Sequence, residues 1–140
     1  MAVEVVQFSD GDFGGWFDPD DYKSAVAIVF EPTDHDEEGG EYKGKKHART
    51  TVDITTFHDL AKLDAADPEV RQDVYVEKSV LCKQLKDLLG KAVIVTVTKK
   101  SSNKPGGNDY WTLKSVDPQI HAKVEEYLEA REAAADDLIG

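Results

Sequence analysis

Apolar and polar positions alternate in five short blocks along this chain. Residues 24–31 (SAVAIVFE) form an apolar run rich in β-branched side chains, stopped by Pro32, and predict a strand. Residues 50–57 (TTVDITTF) alternate, with Val52 and Ile54 on one face and Thr51, Asp53, Thr55 and Phe57 on the other, as a half-buried strand does. Residues 73–77 (DVYVE), 91–99 (KAVIVTVTK) and 110–116 (YWTLKSV) complete the set. Between the third and fourth blocks, Val80, Leu81, Leu85, Leu88 and Leu89 recur at helical spacing, from a Ser79 N-cap to Gly90. Pro118 ends the last strand, and residues 119–138 read as a terminal helix of good formers such as Ala130, Ala133, Ala134 and Ala135.

The connections are polar. A long loop is expected over 33–48, carrying Gly39-Gly40 and Gly44, and a flexible one over 100–109. Residues 58–72 hold an Asp67-Pro68 break and predict a short helical turn. Residues 8–22 mix glycines, Pro19 and acids with Phe8, Phe13, Trp16, Phe17 and Tyr22, which reads as an irregular arm that docks its rings.

Three strands, a helix and two more strands is the order of a mainly β, five-stranded OB-fold-like Greek-key barrel, with its helix between strands three and four and a C-terminal helix after it. An SH3-like barrel or a small α+β domain gives similar strings. The OB-like reading divides the chain into an acidic aromatic arm (1–23), the barrel (24–116) and an acidic helix or tail (117–140). OB-folds grip oligonucleotides with the loops between strands one and two and between strands four and five. Those are the two longest loops here.

Charge is sorted by position. Residues 1–40 hold eleven acids against Lys23, residues 41–116 ten acids against fourteen bases, and residues 117–140 seven acids against two bases; the net is −11. A mildly basic middle between acidic ends keeps nucleic acid open as a partner. Cys82 is the only cysteine, so no internal disulfide forms, a reducing cytoplasm is expected, and its apolar neighbours mark it as core filler. No long apolar run predicts a membrane span, and the first residues lack the pattern of a secretory leader.

Single strands are bound by cations for phosphates and flat rings for bases. The candidate phosphate contacts are Lys43, Lys45, Lys46 and Arg49 in the first loop, Lys99, Lys100 and Lys104 in the second, and Lys114 on the last strand. The candidate stacking rings are Phe57, Tyr75 and Tyr110. Trp111 alternates with Leu113, so it reads first as barrel filler and second as a stacking ring. Lysines of this kind also suit a solvated loop that binds nothing. No cofactor, metal or catalytic group is expected: the four histidines are scattered, the 34–38 acids lack an EF-hand pattern, and Lys104-Pro105-Gly106-Gly107 lacks the spacing of a phosphate loop. Nothing in the sequence nominates an enzyme.

The chain resembles the small OB-fold single-stranded DNA-binding proteins carried by bacteriophages of actinobacterial hosts. The likeness rests on Ile-Val-Phe-Glu-Pro at 28–32, the 42–45 loop element, the alternating 51–57 strand, the 80–90 helix leading into 92–97, and 110–114 before a terminal helix. It covers roughly residues 24–128. The resemblance implies sequence-independent coating of single strands in DNA replication or recombination, without catalysis, and often as an oligomer. The ending Asp136-Asp137-Leu138-Ile139 is similar to the acidic, apolar-tipped tails with which bacterial single-stranded DNA-binding proteins recruit replication or recombination proteins, although it lacks their Pro-Phe ending. A fraying amphipathic helix accounts for the same residues. The competing expectation is an acidic protein–protein interaction module, such as a phage-encoded inhibitor or DNA mimic, favoured by the acids of residues 1–40. Acidity as an adaptation to salt is a third.

Overall fold

The computed structural model of the chain describes residues 14–102 and 106–139, with residues 136–139 described as backbone only. Five strands, β1 (Ala27–Tyr42), β2 (Lys45–Phe57), β3 (Glu69–Val76), β4 (Val93–Lys100) and β5 (Tyr110–Ser115), build one antiparallel sheet in the order β3-β2-β1-β4-β5. Helix α1 (Leu60–Asp64) follows β2, α2 (Ser79–Lys86) lies between β3 and β4, and α3 (Pro118–Ile139) ends the chain. A single 3-10 turn, Pro19–Tyr22, precedes β1.

The polar stretch expected as a loop over 33–48 is instead the far half of a long β1–β2 hairpin. Its tip is the two-residue turn Lys43-Gly44, both at positive φ (52° and 78°), the geometry that matches the twist of the flanking strands. No apolar alternation marks this half because its strands are held mainly by the backbone ladder, with Glu41 set across from Lys46 in register. The register shifts between Pro32 and Asp34 and again between Asp36 and Gly40. The first shift sits where proline has no N–H to give. Gly40 has no room for a side chain, because a Cβ there would run into the His47 ring.

A closed barrel requires the edge strands β3 and β5 to pair, and among the described residues they do not, so the expected barrel is an open sheet. Residues 14–17 take the β3 edge. The Gly14 N–H donates to the Asp73 carbonyl (3.2 Å), the Tyr75 N–H to Gly15 (2.9 Å) and the Phe17 N–H to Tyr75 (2.9 Å), which makes a short parallel bridge. A Cβ on Gly14 would collide with the Gln72 carbonyl, and Arg71 donates to the carbonyls of Gly14 and Trp16. On the other edge, Gln84 of α2 accepts from the Leu113 N–H (3.0 Å) and donates to Thr112 Oγ1 (2.9 Å). A segment and a helix therefore stand where a fifth pairing would have closed the sheet.

Both faces of the sheet are buried in part. On one, Ile28, Phe30, Val52, Ile54, Val74, Val76, Val95 and Val97 pack with Leu81 and Leu85 of α2 and with Phe17 and Tyr22 of the arm. Phe8 and Phe13 lie outside the described residues. On the other face, Ala27, Val29, Phe57 and Ile94 lie under Val124, Tyr127 and Leu128 of α3. Helix α2 is shorter than its leucines suggest. Lys78 occupies the N-cap without a side-chain bond, so Ser79 is the first helical residue, and Leu88 and Leu89 lie beyond the helix end. The Cys82 thiol is buried, with the Thr50 hydroxyl 3.2 Å from its sulfur and donating to the Cys82 carbonyl. Among the described residues no helix is long and apolar enough to cross a membrane.

Candidate nucleic-acid interface

The β1–β2 and β4–β5 turns stand at opposite ends of the sheet. Ile28 and Val29, near the start of β1, pair with Val95 and Ile94, so β4 runs on past the start of β1 to Lys99 and Lys100. Tyr42 and Lys45, at the other end of β1, flank the hairpin tip. Sixteen residues of β1 separate the two ends, on the order of 40 Å along the strand. The expected lysines therefore form two groups and do not line one cleft.

At the hairpin tip, Lys45 and Lys46 are exposed, and the Lys43 ammonium sits 5.3 Å from the centre of the exposed Tyr42 ring. Arg49 is committed elsewhere: its Nε donates to Glu77 at 2.7 Å, and its guanidinium lies over the Tyr75 ring at 3.8 Å. One face of Tyr75 is thus already covered by a cation. Glu77 also accepts from the Trp16 indole N–H at 3.0 Å and lies 2.7 Å from His47 Nε2. Burial works to raise the Glu77 carboxyl, but the bonds from His47, Arg49 and Trp16 and the Arg49 charge prevail and hold it below the usual carboxylate range.

At the other end, the last two register pairs of the β4–β5 ladder are Lys99 with Trp111 and Lys100 with Tyr110. Trp111 packs against the first core on the side of Leu113, and the Lys99 ammonium lies 5.3 Å from its ring centre. Tyr110 points to the opposite face and is 38% exposed, which leaves its ring accessible. Lys114, four register pairs along, shares the Tyr110 face opposite Thr96. No ion pair engages Lys99, Lys100 or Lys114 among the described residues, whereas Lys23, Lys62, Lys86, Lys123, Arg49 and Arg131 each meet a carboxylate. Residues 91–116 carry five lysines against Asp109 alone, while residues 41–90 hold nine acids and nine bases. The surplus positive charge of the middle of the chain is the charge of this hairpin.

Phe57 corrects the sequence reading. Alternation placed it on an outward face, but α3 covers that face, so the ring has no exposed surface and meets Tyr127 edge-on at 5.3 Å. It is core and cannot stack on a base. Lys104 lies outside the described residues. So do the side chains of Asp136, Asp137, Leu138 and Ile139, whose backbone continues α3 to Ile139. The place of Trp16 beside Glu77 was not legible, because its irregular, glycine-flanked segment has no period from which a direction can be read.

A groove along α3 is lined by Glu31, His121, Glu125, Glu129, Arg131 and Glu132. Its four carboxylates against one arginine make it a poor home for phosphate. The histidines pair separately with glutamates, His35 with Glu37, His47 with Glu77, His58 with Glu69 and His121 with Glu125. Among the described residues no three potential ligands gather around a metal position. No protein-family model, curated protein or solved structure matches the chain.

Proposed function

We propose that the chain binds single-stranded DNA without sequence preference, as a non-catalytic coating protein of replication or recombination. The β4–β5 hairpin supports this reading best. It sets unpaired lysines beside aromatic rings at successive register positions, in the stretch that carries the chain's surplus positive charge. Lys100, Lys114 and Lys99 neutralise phosphates, and Tyr110 offers a ring face to a base. Trp111 serves mainly to seat Lys99.

The OB-like order of elements supports the same reading, since β1 pairs with both β2 and β4 and a helix follows β3. The acidic groove beside α3 directs the strand away from that helix. Its exposed glutamates Glu125, Glu126, Glu129 and Glu132 favour the second reading, an acidic face for a protein partner.

The test is a titration of labelled dT oligomers at several salt concentrations. Three lysine–phosphate contacts give a log–log salt slope of about −2, at roughly −0.7 per contact on single strands. Lys100→Glu with Lys114→Glu is expected to weaken binding at least about tenfold at low salt. Unchanged affinity in that variant removes the hairpin from the site. Absence of binding by the unaltered chain at low salt overturns the DNA reading in favour of the acidic interaction module.

A further inference from the structure

The β1–β2 hairpin outruns the rest of the sheet. β4 pairs with β1 only over Ile28–Phe30, and β3 pairs with β2 only over Thr50–Thr56. Beyond those points β1 and β2 pair with each other alone, from Asp36 with Arg49 to Tyr42 with Lys45. The base of this ribbon is clamped: Glu77 takes His47 and Arg49, Glu37 takes Lys86, and the His47 ring fills the space over Gly40. Residues 41–46, at its end, are all exposed.

Those residues carry three lysines against Glu41 alone. Register partners share a face of a ribbon, so Lys45 stands with Tyr42 on one face and Lys46 with Glu41 on the other, with Lys43 in the turn. Among the described residues no ion pair engages any of the three. Lys43 holds its turn position at a φ of 52°, where Asn, Asp or Gly fits with less strain. A lysine there weakens the turn and keeps a cation at the extremity.

A single strand lying on one surface has no use for cations on opposite faces. A ribbon that enters a groove between two phosphate rows meets anions on both sides. The major groove of B-form DNA is about 12 Å wide and about 8.5 Å deep and admits a two-stranded β-ribbon. At roughly 3.4 Å per residue, that depth takes in about two to three residues of each strand, which is the stretch 41–46. Asp36, Glu37 and Glu38 lie farther down the ribbon, where repulsion from phosphate stops deeper entry.

We propose that the β1–β2 tip is a duplex-DNA contact that inserts into the major groove, with Lys45 and Lys46 reaching phosphates on opposite walls and Lys43 facing the base edges. The site is separate from the β4–β5 hairpin and stands whether or not that hairpin binds single strands.

The test uses the full chain and a labelled blunt duplex at low salt. Two lysine–phosphate contacts give a log–log salt slope of about −1.8, at roughly −0.9 per contact on B-form DNA. Lys45→Gln with Lys46→Gln is expected to weaken duplex binding at least about tenfold and to flatten that slope. Lys43→Asn suits the turn better, so it should raise the thermal midpoint while lowering duplex affinity. Netropsin, which fills the minor groove, should leave affinity unchanged. In the unaltered chain, duplex should shift the amide resonances of 41–46 and leave those of 110–115 in place. Lys100→Glu with Lys114→Glu should keep its duplex affinity, which separates this site from the hairpin.

No duplex binding at low salt, full duplex affinity in the Lys45→Gln, Lys46→Gln chain, or competition by netropsin overturns the proposal. So does a loss of dT affinity in that variant with duplex affinity kept, which would make the tip a single-strand contact. The amide shifts need no substitution, so they decide even where a variant does not fold.

Discussion

Glu77 collects three side chains from two separate parts of the chain: Trp16 of the arm and His47 and Arg49 of β2. Its side chain is 20% exposed, so solvent screens these bonds only in part. Glu77→Gln leaves the Arg49 charge without its counter-charge and is expected to cost about 1–3 kcal/mol near neutral pH. The pH dependence follows from the direction of the shift. A carboxyl held below its ordinary 4.5 contributes stability that is complete above that value and disappears as pH falls through the lowered one. Urea midpoints of the two chains should therefore differ at about pH 7 and draw together as pH falls below the ordinary carboxyl value. A gap that stays constant as the solution is acidified would show that Glu77 acts through packing alone. Tyr110 was legible at this scale because it alternates with Trp111 on a strand that the sequence marks clearly. Phe57 obeyed the same alternation and misled, since period alone does not show that a later helix will cover the second face.

Each end of the sheet shows what an element-level pattern carries. The strands that pack against the cores announced themselves through Val, Ile and Phe. The distal half of the β1–β2 hairpin did not, because its faces are wet and its pairing rests mainly on backbone hydrogen bonds. The one hint was the change from acids at 34–38 to bases at 43–49, which in an antiparallel ribbon sets opposite signs across from each other. Gln84 performs a different task. One side chain of α2 satisfies the Leu113 N–H at the outer edge of β5 and donates to Thr112. Gln84→Ala is expected to cost about 1–2 kcal/mol and to speed amide exchange at Leu113 more than at its neighbours. Unaltered exchange there would mean that water replaces the amide without loss. An edge freed in this way also becomes available to a second strand, so the variant should self-associate more readily on concentration.

For the whole molecule, the decisive contacts are distant in sequence. Trp16 and Tyr75 are bridged across the chain, and no local pattern shows that an arm will occupy an edge that a barrel needs. The order of strands was therefore readable, while closure was not. Charge at this scale acts in two directions. A net −11 makes the folded chain repel itself, and added salt screens that repulsion. Between about 10 mM and about 500 mM sodium chloride the thermal midpoint is expected to rise by a few degrees, while affinity for dT falls. Differential scanning fluorimetry and the oligomer titration read the two trends on one sample. A falling midpoint would mean that the ion pairs, and not the excess acid, dominate the stability.

The seclusion of Cys82 beneath Thr50 has a practical consequence. A reagent that alkylates thiols meets no target until α2 lifts from the sheet, so its rate of incorporation times that opening. Attachment of a dye at the native sulfur would wedge the helix away from β2, and a label meant to follow ligand capture belongs on an introduced surface cysteine.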